Sequence, residues 1–227
     1  MEDIGISLIV IVFTGVLIGV IFYLVNLKRK TTEKVIRDLA AQKGWEYEPF
    51  KETLSWGYRL RSPQWILESV TETTGNSAEL NQNNAAQFTR LSTSLFHIPG
   101  HLLINPHAAG SRLLNAMQLE LAQRAASFFS SGVIDNLEEI HSGSSNLREH
   151  YSILGQPDCD TSSLFSPQVE NGLLNWKGER PWIRIGKDGM QIEIRNKNIQ
   201  KPEEIGELVN LADSLIASSK KIKQNKK

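Results

Sequence analysis

The run from Ile4 to Leu27, 24 residues without one formal charge, constrains this chain more than any other feature in it. At about 1.5 Å of rise per helical residue the run is long enough to cross a hydrocarbon layer of roughly 30 Å. A helix apolar on every face has no wet side, so it needs lipid or deep burial around it. Glu2 and Asp3 precede the run, and Lys28, Arg29 and Lys30 follow it directly. By the positive-inside tendency this asymmetry predicts an outside N-terminus and a cytoplasmic chain after Lys30.

Other readings of the same segment fit less well. A cleaved signal peptide has a basic start, a shorter apolar core and a small-residue cleavage site. Here the start is acidic and the far end reads Tyr23-Leu24-Val25-Asn26-Leu27. A myristoyl anchor requires glycine after the initiator methionine, where this chain has Glu2. The expected organisation is therefore a transmembrane anchor with a basic flank over residues 1–30, an α+β domain over 31–219, and a basic C-terminal tail over 220–227. The expected location is the inner (plasma) membrane, crossed once.

Composition narrows the rest. Lys plus Arg and Asp plus Glu are equal at 25 each, so no global charge argues for nucleic acid, and no specific nucleic-acid partner is expected. A single cysteine, Cys159, cannot form an internal disulfide, as suits a reducing compartment. The chain also lacks an Asn-x-Ser/Thr acceptor site.

Beyond the anchor, Thr31 or Thr32 offers a cap for a helix with Val35, Ile36, Leu39 and Ala40 on its apolar face and Gly44 at its end. Strands are predicted from Trp45 to Glu48, Trp56 to Arg61, Trp65 to Thr71, Phe88 to Leu95 and Leu102 to Ile104, with an exposed loop over 73–86. Asn105-Pro106 reads as a helix start, followed by Leu113, Leu114, Met117, Leu121, Ala125 and Phe128 at helical spacing and by Gly132 as a stop. A short helix around Ile134 to Ile140, a loop through Ser142 to Ser145 and a strand from Tyr151 to Leu154 come next. Ser166-Pro167 opens a helix with the stripe Val169, Gly172, Leu173 and Trp176. Ile183, Ile185, Ile192 and Ile194 alternate with polar residues around Gly186-Lys187-Asp188-Gly189, a hairpin with one buried face. Pro202 then opens a last helix whose apolar face is Ile205, Leu208, Val209, Ala212, Leu215 and Ile216. Strands and helices do not alternate as a parallel sheet needs, so the expected class is α+β, antiparallel strands packed with about three helices.

The search for chemistry yields little. His97, His101 and His107 fall close together, but Pro99-Gly100 and Asn105-Pro106 break the spacing, and no metal site is expected. Asp158-Cys159-Asp160 lacks the apolar strand that paired phosphotransferase aspartates follow, and two carboxylates disfavour a thiolate between them. Gly-rich phosphate loops, Gly-x-Ser-x-Gly and His-Glu-x-x-His are all missing, so catalytic residues are not assigned and no cofactor is expected. The five tryptophans sit beside apolar neighbours and read as core. Candidate membrane contacts are Lys28, Arg29, Lys30, Lys220, Lys221 and Lys223. The C-terminal lysines suit an anionic leaflet, a nonspecific RNA contact or a solvated end, and the sequence leaves these open. Gly15 and Gly19 form a small-residue pair by which two anchors can approach each other as a homodimer.

An N-terminal anchor, a basic junction, a helix ending in Lys43-Gly44-Trp45-Glu46-Tyr47 and a closing hairpin plus helix from Trp182 to Ile216 together resemble uncharacterised bacterial single-pass membrane proteins. The resemblance implies a bacterial inner-membrane protein facing the cytoplasm and transfers no functional residue. The expected function is a membrane-anchored cytoplasmic binding or scaffold protein, with the lipid bilayer and a protein as partners. The alternative is a membrane-tethered enzyme whose cleft is lined by the 97–107 and 156–162 loops.

Overall fold

The structure, a computed structural model, describes residues 2–73, 85–107, 136–157, 159, 161 and 164–224, the side chains of 2–12, 25, 85 and 219–224 excepted. The first element is a single helix, α1 (Glu2–Lys43), which runs unbroken from the apolar segment into the folded domain. Thr31 is not a cap. Its hydroxyl donates to the Leu27 carbonyl at 3.0 Å within the continuing helix. Ile36 and Ala40 are buried as the stripe predicts, Leu39 packs partly buried beside them, and Val35 stays outside. Gly44 ends the helix at φ +69°, a left-handed conformation that costs glycine little, and the Trp45 N–H returns to the Ala40 carbonyl at 2.8 Å. Among the described residues no helix is long and apolar enough to cross a membrane. The described side chains of the apolar run begin only at Phe13, so the span itself rests on the sequence.

Nine strands follow: β1 (Glu46–Lys51), β2 (Ser55–Arg61), β3 (Ile66–Thr73), β4 (Ala85–Thr93), β5 (Leu102–Pro106), β6 (Glu138–Glu139), β7 (Tyr151–Gly155), β8 (Trp182–Gly186) and β9 (Gly189–Arg195). They form one sheet in the order β1-β2-β3-β4-β9-β8-β5-β7-β6, with every pairing antiparallel. The period of two along each strand and the register between them place one apolar row across seven strands: Leu60, Leu67, Leu91, Ile192, Ile183, Ile104 and Ile153. All seven are buried. Three helices complete the described domain: α2 (Ser145–His150), α3 (Pro167–Leu174) and α4 (Pro202–Gln224). The six predicted apolar residues of α4 are buried in the same core as that row, joined by Val169 and Leu173 of α3 and by Ile36 and Ala40 of α1. The class is α+β, one large antiparallel sheet with four helices among the described residues.

The connection from β9 to α4 is fixed by a polar cluster inside this core. Thr89 Oγ1 accepts from the Ile199 N–H and donates to the Lys197 carbonyl, each at 3.0 Å. Asn198 bonds Ser69 through its carbonyl oxygen and Thr71 through its amide, and the Tyr58 hydroxyl donates to the Ile199 carbonyl. Polar residues on the inner face of β2, β3 and β4 are thus accounted for, since buried polar groups need partners.

Several local expectations are corrected. Asn105-Pro106 does not start a helix but ends β5, paired with Ser152 and Tyr151 of β7, and the His107 N–H donates to the His150 carbonyl. The Ile134 to Ile140 helix is replaced at its described end by β6, two residues paired with β7. The expected loop at Ser142 to Ser145 holds a helix start instead, with Ser144 Oγ accepting from the Leu147 N–H at 3.2 Å. The backbone of Lys220, Lys221 and Lys223 is helical, since α4 continues to Gln224. Most of the 73–86 loop and the stripe from Leu113 to Phe128 with its Gly132 stop lie outside the described residues.

Candidate functional site

Three places bear on function, and the first is the emergence of α1 from its apolar segment. Phe13, Val16, Leu17, Ile18, Val20, Ile21, Phe22, Tyr23, Leu24 and Leu27 are all exposed, by 49% to 71%, and at 100° per residue they cover every face of the helix. Gly15 and Gly19 lie one turn apart on this stretch with open space where a side chain would project. Lys28, Arg29 and Lys30 are exposed directly after it. Glu33 and Arg37 then pair at 2.8 Å, and the Arg37 guanidinium lies 5.5 Å from the centre of the Tyr47 ring on β1. Burial, with the Glu33 charge adding to it, raises the Tyr47 phenol above its ordinary value and keeps it a neutral hydrogen-bonding group. Lys220, Lys221 and Lys223 follow Ser218, which bonds Ser166 beside α3. The two basic clusters that the sequence groups as membrane contacts stand on different helices. The second begins about 27 Å along α4 from Pro202.

The second place is the outer face of the sheet. There the register aligns Glu48, Arg59, Glu68, Arg90, Glu193 and Trp182 into one row across six strands, acid alternating with base. Arg59 bonds Glu68 at 2.7 Å and reaches Glu48 at 3.3 Å, while Arg61 bonds Glu48 at 2.9 Å. Glu193 is buried to 6% exposure and accepts from Arg90 at 3.0 Å and from Arg195 at 3.2 Å. Arg195 in turn stacks 3.8 Å over the Trp182 ring. The hydrogen bond from Arg61 holds the Glu48 carboxyl below the usual carboxylate range. Each acid of the row is engaged by an arginine, so the row suits rigid display of charge rather than proton transfer. The sequence reading passed over these residues. Their signal was charges at alternate positions of successive strands.

The third place is where Gln156 and Cys159 meet the backbone of Pro99 and His101. The Cys159 thiol donates to the His101 carbonyl at 3.2 Å and to the Pro99 carbonyl at 3.4 Å, and the Gln156 N–H also donates to the His101 carbonyl. The thiol is thus engaged with the Pro99 and His101 backbone, an arrangement that holds the loop. The His101 ring packs against Gly186, and its buried Nδ1 has no hydrogen-bond partner among the described residues. Burial first, then the Arg184 charge, lowers its pKa below the ordinary imidazole value. Near it an open groove of about 480 Å³ has a mixed lining that includes Gln64, Trp65, Ile66, Arg184, Asp188 and Met190. His97 is exposed, and His107 bonds the Glu149 carbonyl at 3.1 Å. Among the described residues no group of three His, Cys, Asp or Glu side chains comes together as a metal site. Asp158 and Asp160 lie outside the described residues.

The tryptophans divide as core and edge. Trp45 and Trp65 meet edge to face at 4.8 Å and Trp65 is buried, whereas Trp56 is 37% exposed at the start of β2. No protein family, curated protein or solved structure matches the chain, so its function is argued from its own residues.

Proposed function

We propose that this chain is a single-pass membrane protein of the inner (plasma) membrane, with a cytoplasmic α+β domain that binds a protein partner close to the bilayer. The observation that carries the reading is the change of character along α1. Its described apolar side chains between Phe13 and Leu27 are exposed on every face, while Ile36 and Ala40 of the same helix are buried in the domain core. Water tolerates scattered exposed apolar residues but not a continuous sleeve of them, and lipid is the solvent that suits one. The acidic residues before the run and Lys28, Arg29 and Lys30 after it support an outside N-terminus. A binding role is supported by the outer face of the sheet, whose paired charges are fixed in place and carry no free acid–base couple. Gly15 and Gly19 support association of two anchors in the bilayer.

Topology tests the first half of this reading. A reporter active only in the cytoplasm, fused after Lys227, is expected to work, and one active only outside is expected to stay silent. The opposite pair of results would overturn the location. For the second half, crosslinking of the full-length protein in native membranes followed by affinity purification is expected to recover a stoichiometric partner. Recovery of none would overturn the scaffold role.

A further inference from the structure

The tip of the β1–β2 hairpin presents apolar and aromatic side chains that the described residues leave partly uncovered. Leu54 is 53% exposed and Trp56 37% exposed, and Lys51, Glu52 and Thr53 beside them are exposed too. The tip is well formed: the Glu52 N–H donates to the Ser55 carbonyl, the Ser55 hydroxyl engages the Glu52 carboxylate, and the Thr73 N–H of β3 donates to the Leu54 carbonyl. Exposure here is a property of an ordered turn.

Its position along α1 gives the exposure meaning. After Gly44 the chain reverses, and β1 runs back beside the helix it has just left. Trp45 is bonded to Ala40, and Tyr47 already lies under Arg37 and within the fields of Glu33 and Arg29. Four more residues of strand carry the chain about 13 Å further, the length of about nine helical residues. The end of β1 and the turn that follows therefore reach back to the level of Lys28 to Lys30, where the apolar run ends. The opposite end of the same strands, at Gln64, points away from it.

We infer that Leu54 and Trp56 seat the β1–β2 turn in the interfacial layer of the bilayer that α1 enters, giving the domain a second point of contact with the membrane. The inference rests on the anchored reading above and extends it. A tryptophan and a leucine flanked by Lys51 match the chemistry of that layer, where amphipathic rings and basic side chains collect. Lys28, Arg29 and Lys30 stand at the same level, so the two contacts share one plane of anionic headgroups.

Photocrosslinking tests it on the full-length protein reconstituted into vesicles of neutral and anionic phospholipid. A benzophenone side chain is placed at Leu54, at Gln64 or at Ile18, and lipid adducts are counted by mass spectrometry. The expected result is abundant lipid adducts at Ile18, several-fold more adducts at Leu54 than at Gln64, and a drop at Leu54 when Trp56→Asp is added. Adducts at Ile18 with none in excess at Leu54 would overturn the second contact and leave the anchor standing. Absence of adducts at Ile18 would overturn the anchored reading itself. Leu54 is more than half exposed, and circular dichroism unchanged from the parent is required of each variant before its adducts are compared.

Discussion

Glu193 sits on the open face of the sheet yet keeps almost no exposed surface, because Arg90 and Arg195 close over it from either side. Removing its carboxylate leaves two partly buried guanidinium groups without their common acceptor. Glu193→Ala is therefore expected to cost about 1–3 kcal/mol, read from the denaturation midpoint, after discounting for the exposure of both arginines. Glu48→Gln, at the exposed end of the same row, is expected to leave the denaturation midpoint nearly unchanged. Equal losses at the two positions would contradict the role of Glu193 as the buried acceptor that Arg90 and Arg195 share. His101 makes a different residue-scale prediction. Its imidazole binds a proton less readily in the folded chain than in the unfolded one, because of burial and the Arg184 and Lys187 charges, with Asp188 opposing them. Below the ordinary imidazole value of about 6.5 the unfolded state then takes up more protons, so stability falls as pH drops through that region. The midpoint measured against pH is expected to decline there, and His101→Gln is expected to flatten the decline.

At the scale of elements, α4 and the β8–β9 hairpin were legible because local pattern and tertiary demand agree. Pro202 with Glu203 and Glu204 starts the helix, and its stripe at helical spacing is buried in the same core as Ile192 and Ile194. Leu208 is fully buried and Asn210 exposed. Leu208→Ala is expected to lower stability by about 2–5 kcal/mol and Asn210→Ala to leave it nearly unchanged, a contrast that chemical denaturation measures directly. Asn105-Pro106 was misread for the converse reason. An asparagine before a proline is a good local start for a helix, but pairing with β7 captures both residues as strand, and Asn105 is buried there. β6 was illegible because Glu138–Glu139 is too short and too charged to show alternation. The Glu48 to Trp182 row was invisible for another reason: its charges are local, but the register that lines them up across six strands is not.

For the whole molecule, the last turns of α1 belong to the domain as much as to the segment before them. A chain beginning at Thr31 keeps Ile36, Leu39 and Ala40 and is expected to be soluble, folded and mixed in helix and strand by circular dichroism. One beginning at Gly44 exposes the core that Ile36 and Ala40 cover, both 1% exposed, and is expected to melt well below it. Equal melting of the two would show that α1 contributes nothing to the core. The same continuity has a mechanical side. Between Val20 and Lys43 the helix holds neither glycine nor proline, the residues at which helices most often bend. On the anchored reading proposed above, which puts its first half in lipid, α1 would act as a stiff lever with no joint at the surface. A long apolar helix tilts when the bilayer around it thins. That lean passes undamped to the sheet, so the thickness of the membrane sets the attitude in which the domain meets whatever it binds.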